Sequence, residues 1–324
     1  MAEESIAFGA VLQGDFAVAE SLLDQVLEAT TRLRLQEMTH YSLLVKAMIG
    51  AHRGRRREMN VALAELRRWG GDNSINTPRA YGLARTWCSL LEENRPRALR
   101  ELAAARAADE RSPSFLQLSG RFGLQLLLEV LEGTAGRPEY REVIAAPPSK
   151  LRWERQFCLL ADAVLAGREG QANMAAETVA EAVRVGAPYP IGRHLGLRLV
   201  SEAAIADGWG TPIDWLRAAE DFFFQREVPA VTSACRALLR HAGAPIYQHR
   251  HGTQQLPAAL RAVGVTVREH EILQLLRERL TNREIASRLH LSPRTVEKHV
   301  ASLITKTGQA NRITLGEYGS AILD

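Results

Sequence analysis

Between Gly264 and Gly319 the chain reads GVTVREHEILQLLRERLTNREIASRLHLSPRTVEKHVASLITKTGQANRITLGEYG. This stretch predicts four short helices with recognisable starts. Thr266, followed three residues later by Glu269, has the pattern of a capping box at the first helix. Ser292 and Pro293 mark the start of the third, because Ser caps a helix and Pro is tolerated at the first helical position. The stretch therefore predicts a small all-helical unit.

The third helix of this unit has an apolar stripe and an opposite polar face. Val296, Val300 and Leu303 recur at i, i+4 and i+7, which predicts that they point inward. The outward face is then formed by Arg294, Glu297, Lys298, Ala301 and Thr305. We also predict Asn282 as the cap of the second helix and Asn311 as the cap of the fourth.

The second and third helices are separated only by a tight turn at His290 and Leu291. Two short helices joined in this way are typical of a helix-turn-helix. A helix of this size fits the major groove of B-DNA, which is about 12 Å wide. We predict these residues at a DNA interface: Asn282, Ser292, Arg294, Thr295, Glu297, Lys298, His299, Ala301, Ser302 and Lys306. An ordinary helical bundle with a solvated polar face is the alternative at this point.

Different roles are expected within that set. Arg294 and Lys298 suit guanine edges or phosphates, and Ala301 can touch a thymine methyl group. Phosphate contacts, which position a protein but do not specify sequence, suit the flanking residues Thr295, His299, Ser302 and Lys306.

The segment TNREIASRLHLSPRTVEKHV closely resembles the LuxR-type (GerE-like) helix-turn-helix. The resemblance rests on Asn282, Glu284-Ile285-Ala286, Leu289, Ser292, Thr295-Val296, His299, Lys306, Gly308, Arg312 and Leu315, with Arg268-Glu269 opening the unit. It implies a third helix in the major groove and a fourth helix often used for dimerisation. Three positions depart from the family pattern: Arg279 replaces a usual Gly, Thr307 a usual Leu, and Glu297 a frequent Lys.

The first 240 residues read as helices throughout, without strand alternation. Gly, Asn and Pro breaks recur about every 40 residues, a period that indicates an α-solenoid of helix pairs. GDFAVAESLLDQVL, which begins at Gly14, resembles a tetratricopeptide-type helical turn. We therefore predict an all-α chain with three parts: a tetratricopeptide-like sensor or interaction domain over 1–242, a linker over 243–258 and the DNA-binding domain over 259–324.

A second resemblance spans about 195–315. This segment resembles the C-terminal part of the large ATP-binding LuxR-type regulators of actinobacteria. Those regulators carry an ATPase, a helical solenoid and this type of DNA-binding end. The present chain resembles the solenoid and the DNA-binding end without the ATPase. That resemblance implies that the solenoid senses or relays a signal, but it does not identify the signal.

Motifs and composition also argue against several other classes of protein. No GxxxxGK[ST] motif occurs, and we find no arrangement of nucleophile and base, so we predict neither a nucleotide cofactor nor an enzyme. Cys88, Cys158 and Cys235 lie far apart in apolar helical patterns, which predicts reduced structural thiols and no metal. His249 and His251 fall in the Pro- and Gly-punctuated linker, where a metal site is the weaker alternative. No apolar run is long enough for a membrane span, and no signal-like segment occurs, so we predict a cytoplasmic protein.

The charge is concentrated at the C-terminal end. Residues 261–324 hold ten Lys and Arg against seven Asp and Glu, whereas the preceding 260 residues hold thirty-one against thirty. This distribution favours electrostatic attraction to DNA. We predict a sequence-specific transcriptional regulator that binds double-stranded DNA as a homodimer, with RNA polymerase or an unknown effector as further candidate partners. The alternative is a helical interaction scaffold with a weak or vestigial DNA-binding domain.

Overall fold

The computed structural model of the chain is all-α, as predicted. It describes residues 2–70, 77–111, 122–245, 257, 260, 263–289 and 291–323. Within these residues there are seventeen α-helices and one short 3-10 helix, and no strand. The chain divides into two compact units, residues 1–246 and 247–324.

Thirteen of the helices belong to the first unit: α1 (Ala2–Gln13), α2 (Phe16–Arg32), α3 (Gln36–His52), α4 (Arg56–Arg68), α5 (Thr77–Leu91), α6 (Arg95–Arg111), α7 (Gly123–Glu132), α8 (Arg137–Ala145), α9 (Arg152–Arg168), α10 (Ala172–Val185), α11 (Pro190–Asp207), α12 (Pro212–Gln225) and α13 (Pro229–His241). The 3-10 helix Pro147–Lys150 lies between α8 and α9. The second unit contains α14 (Val267–Arg277), α15 (Asn282–Arg288), α16 (Pro293–Thr307) and α17 (Arg312–Leu323).

Helices that follow one another in the first unit pack together as pairs across short turns, for example α3 with α4 and α9 with α10. The predicted breaks fall at these turns. Gly14, Gly54 and Gly133 have positive φ angles there, a conformation that favours glycine. The pairing of successive helices agrees with the predicted helix pairs. The α-solenoid and its tetratricopeptide-like character stay predictions.

Aromatic side chains from helices that are distant in sequence meet in the core of the first unit. The rings of Trp87 on α5 and Trp153 on α9 lie 5.4 Å apart between centroids. Trp87 also stacks on His52 of α3, with ring centroids 4.7 Å apart. The single helix pairs are therefore joined into one hydrophobic core, to which aromatic contacts contribute beyond their buried area.

The second unit has its own hydrophobic core. It is formed by Leu260, Val265, Ile272, Leu273, Leu276, Ile285, Ala286, Val296, Val300, Leu303 and Leu315. The two-unit division lies close to the predicted domains, but it does not test their boundaries. Most of the predicted linker, including His249 and His251, lies outside the described residues.

Two further expectations from the sequence concern the state of the cysteines and the absence of a membrane-spanning helix. Cys88, Cys158 and Cys235 are buried free thiols, and burial raises the pKa of each to about 12. In the part of the chain that the structure describes, no helix combines the length and the apolar character that crossing a membrane needs.

Candidate nucleic-acid interface

Three of the four predicted helix caps in the second unit are confirmed. The Thr266 hydroxyl accepts from the N–H of Glu269 at 3.3 Å, and the Glu269 carboxylate accepts from the N–H of Thr266 at 2.7 Å. Ser292 Oγ accepts from the N–H of Thr295 at 3.1 Å. Asn311 Oδ1 accepts from two backbone N–H groups at the start of α17, at 2.8 and 3.1 Å. These bonds satisfy N–H groups that a helix start otherwise leaves without a partner.

The predicted cap of α15 is wrong by one residue. The cap is Thr281, whose hydroxyl accepts from the N–H of Glu284 at 3.4 Å, while the Glu284 carboxylate accepts from the N–H of Thr281 at 2.7 Å. Asn282 is the first residue of the helix instead. Its Oδ1 accepts from the guanidinium of Arg312, which also donates to the carbonyl of Leu280. Asn282 thus ties the start of α17 to the start of α15.

The turn between α15 and α16 is held by backbone and side-chain bonds. Only residues 289–292 separate the two helices, and within this stretch His290 lies outside the described residues. The N–H of Leu291 donates to the carbonyl of Ala286 at 2.8 Å. Arg268 on α14 donates to the carbonyl of Leu289 at 2.8 Å. Helix α14 therefore braces the turn from behind.

The faces of α16 agree with the predicted periodicity. Val296 and Leu303 are fully buried, and Val300 is nearly so. The outward set is exposed: Arg294, Glu297, Lys298, Ala301 and Thr305. The helix ends at Gly308, where φ is +68°, as predicted.

Lys306 and Ser302, whose contacts to phosphate stay a prediction, are bonded to Glu269 within the unit. Lys306 Nζ lies 3.0 and 2.8 Å from the two carboxylate oxygens of Glu269, and Ser302 Oγ donates to the same carboxylate at 2.6 Å. Burial would raise the pKa of Glu269, but the bonds from Lys306 and Ser302 outweigh it and hold that pKa at about 2. The ion pair fixes α16 against α14 and engages the ammonium group of Lys306.

Two other predicted contacts, Thr295 and His299, are half-buried at the edge of the outward face. The Thr295 hydroxyl shares a 2.7 Å hydrogen bond with the hydroxyl of the cap Ser292. The structure therefore brings Ser292 and Thr295 together at the N-terminus of α16, close in sequence to Arg294. N-terminal N–H groups and the helix dipole favour anions at such an end.

Exposed cations without an ion-pair partner are few in the described part of the second unit. They are Arg279, Arg283, Arg294 and Lys298. Arg283 was not among the predicted interface residues. It lies in the first turn of α15, where a cation is unfavourable with the helix dipole. A basic residue in the first turn of a helix is therefore the feature of the sequence that could have indicated a role for Arg283 at the interface.

Arg279 has a left-handed backbone conformation, with φ at +58°. It follows the C-terminal end of α14, at the position where the resemblance to the LuxR-type pattern implies Gly. A side chain in this conformation costs about 1 kcal/mol. The non-glycine residue is therefore a stability cost in the turn that leads to α15.

Two short helices, a braced four-residue turn and an exposed polar face on the second helix together define a helix-turn-helix module. Residues 264–317 match the family described as bacterial regulatory proteins, luxR family, GerE. The C-terminal segment of this chain is thus a LuxR-family domain.

Several regulators are similar to parts of this chain. It is 39% identical over 83 residues to "Response regulator Rre1" of Synechocystis sp., covering 26% of this chain and 33% of that protein. It is 45% identical over 65 residues to "Probable transcriptional regulator ycf29" of Pyropia yezoensis, covering 20% and 28%. It is 39% identical over 69 residues to "Putative HTH-type transcriptional regulator Mb0914c" of Mycobacterium bovis, covering 21% and 8%.

These matches span a third or less of each relative. No solved structure matches the chain. The resemblance to the large ATP-binding regulators stays a prediction.

Proposed function

We propose that this protein is a sequence-specific DNA-binding transcriptional regulator whose helix α16 enters the major groove. The observation that carries the proposal is the exposed face of α16, which presents Arg294, Lys298 and Ala301 on a helix held from behind by Glu269. A side chain that reads base edges needs a rigid support, and the ion pair with Lys306 provides one. Glu297, on the same face, is suited to accept from a cytosine amino group.

The contacts to phosphate come from a smaller set than the sequence suggested. Ser292, Thr295 and His299 at the edge of α16 remain candidates, and Arg283 joins them because its guanidinium is exposed and without an ion partner. Asn282, Ser302 and Lys306 support the interface from within the unit. A single module covers few base pairs, so we propose a homodimer on two half-sites about one helical turn apart.

The proposal also assigns a role to the residues that precede the DNA-binding domain. Residues 1–242 form a helical domain that senses a ligand or a protein partner, and residues 243–258 link it to the DNA-binding domain over 259–324. RNA polymerase is a further candidate partner. The relatives named as regulators support the DNA-binding role, and the helical pairs of the first unit support the sensing role.

The test compares two double variants of the full chain by fluorescence anisotropy on a random-sequence duplex pool, at two salt concentrations, with selection of the bound fraction. Arg294→Ala with Lys298→Ala should weaken binding by about 2 kcal/mol or more and reduce the salt dependence. The control is Lys46→Ala with Arg57→Ala, which removes the same charge from exposed positions of the first unit. Equal affinity of the two double variants would refute the proposed interface, and enrichment of an inverted repeat would support the dimer.

A protein-interaction scaffold is the second candidate. Glu297 favours it, because an exposed carboxylate on the outward face of α16 repels phosphate. Weak binding without enrichment of any sequence in the same experiment would favour the scaffold.

A further inference from the structure

The corner between α14 and α15 presents two exposed guanidinium groups, those of Arg279 and Arg283. The carboxylates that lie nearest to them along the chain are engaged with other groups. Glu278 accepts from Arg288, and Glu284 closes the capping box of α15. Neither Arg279 nor Arg283 therefore has an ion-pair partner among the residues that the structure describes.

The backbone around Arg279 is fixed on both sides. The N–H of Arg279 donates to the carbonyl of Leu276 at 3.0 Å. The carbonyl of Leu280 accepts from the guanidinium of Arg312, which also bonds to Asn282. The left-handed φ angle of Arg279, +58°, is thus held by the surrounding structure. Backbone strain that is held in this way is concentrated at functional sites.

Strain by itself does not assign a role to Arg279. Arg34, Glu93 and Glu227 have similar φ angles, and they lie in turns of the first unit. Arg279 differs from them because it lies in the helix-turn-helix module, shortly before α15. In such modules the second helix enters the major groove and the first helix crosses the DNA backbone. An exposed cation at the start of α15 is therefore placed to meet phosphate.

We propose that Arg279 and Arg283 bind backbone phosphates beside the groove that α16 enters, and that Arg279 adds a contact at the expense of a strained turn. This inference rests on the proposed function and extends its DNA interface to the corner before α15. The exposed unpaired cations of the described second unit then form two pairs. Arg294 and Lys298 face the base edges, while Arg279 and Arg283 hold the backbone. Because phosphate contacts do not read sequence, the second pair strengthens binding to every sequence alike.

Replacing Arg279 by Gly separates the phosphate contact from the stability of the fold. Glycine relieves the positive φ angle, so Arg279→Gly should be at least as stable as the wild type although it has lost a guanidinium group. Each phosphate contact contributes about 0.9 to the slope of log affinity against log salt concentration. If the effect vanishes at about 1 M salt, the loss of one contact weakens binding about fifteenfold at about 50 mM salt and about fourfold at about 200 mM.

The affinities are measured by fluorescence anisotropy of the full chain on a random-sequence duplex pool at these two salt concentrations. The matched control is Arg34→Gly, because Arg34 is an exposed arginine with a φ angle of +53° in the first unit. It removes the same charge and the same strain and should leave the affinity unchanged. Arg279→Lys keeps a positive charge and should retain most of the affinity and of the salt dependence.

The sequences that Arg279→Gly enriches from the pool should be those that the wild type enriches, since a phosphate contact carries no sequence information. Equal affinity of Arg279→Gly and Arg34→Gly at the lower salt concentration would overturn the inference, and so would a loss that is the same at both concentrations. Urea unfolding followed by circular dichroism checks that each variant is folded.

Failure of this inference can be told apart from failure of the proposed function. If Arg294→Ala with Lys298→Ala loses affinity while Arg279→Gly does not, the second pair of cations makes no contact and α16 keeps its role. If that double variant binds as tightly as its own control, the proposed interface itself is wrong. A wild-type chain that does not bind the pool at the lower salt concentration overturns both.

Discussion

Replacing Glu269 by Gln tests the ion pair that holds α16 in place. The folded-state pKa of Glu269 is about 2, against an ordinary value of 4.5. A difference of this size corresponds to about 3 kcal/mol of stabilisation of the charged form. The Lys306 side chain is 29% exposed and can turn to water once it is uncoupled, so we expect Glu269→Gln to cost about 2 to 3 kcal/mol at neutral pH.

The sign of the pH dependence follows from the lowered pKa. The stabilisation is fully present above the ordinary pKa of 4.5, and it is lost as the pH falls toward 2, where the folded-state carboxyl takes up its proton. Gln resembles the protonated carboxyl. The difference in stability between wild type and Glu269→Gln should therefore shrink between pH 4.5 and pH 2.

The two units can be followed separately in urea unfolding of the full chain. All five tryptophans lie in the first unit, so tryptophan fluorescence reports that unit, whereas far-UV circular dichroism reports both. Glu269→Gln should shift only the part of the circular dichroism transition that fluorescence does not follow. The control is Glu317→Gln, which makes the same chemical change at an exposed position of α17. Equal stability of the two variants at neutral pH, or a difference that persists at pH 2, would refute the reasoning.

The effect of two further substitutions on the stability of the second unit can be measured by the same circular dichroism transition. Arg279→Gly should stabilise the unit by about 1 kcal/mol, because glycine removes the cost of the positive φ angle. Arg279→Ala keeps a Cβ atom and should show no such gain, so a similar gain from alanine would contradict the explanation. Thr281→Ala should destabilise the unit by about 1 kcal/mol through loss of the helix cap, while Thr281→Ser should retain most of it. An unchanged stability in Thr281→Ala would show that the capping box around α15 contributes little.

The features of the second unit that depend on short spacings could be predicted from the sequence. The capping box at Thr266, the cap at Ser292 and the helix end at Gly308 all rest on residues within one turn of each other. The outward face of α16 follows from the helical period, since only one rotation of the helix buries Val296, Val300 and Leu303 together. The prediction failed locally only at Asn282, because Thr281 and Asn282 are both good caps and the backbone decides between them.

The roles of several polar side chains were decided only by the tertiary structure. Lys306 and Ser302 meet Glu269 across 37 and 33 residues, and Asn282 meets Arg312 across 30. In the first unit, Arg198 likewise donates to Glu93 across 105 residues. Hydrogen bonds between residues so distant along the chain leave no periodic trace in the sequence. The sequence by itself determined the helices and their buried faces, because capping and hydrophobic burial act through local spacing. Only packing determined which charged groups face solvent and which are held by a partner, because a charge pairs with whatever the fold brings within a few ångströms.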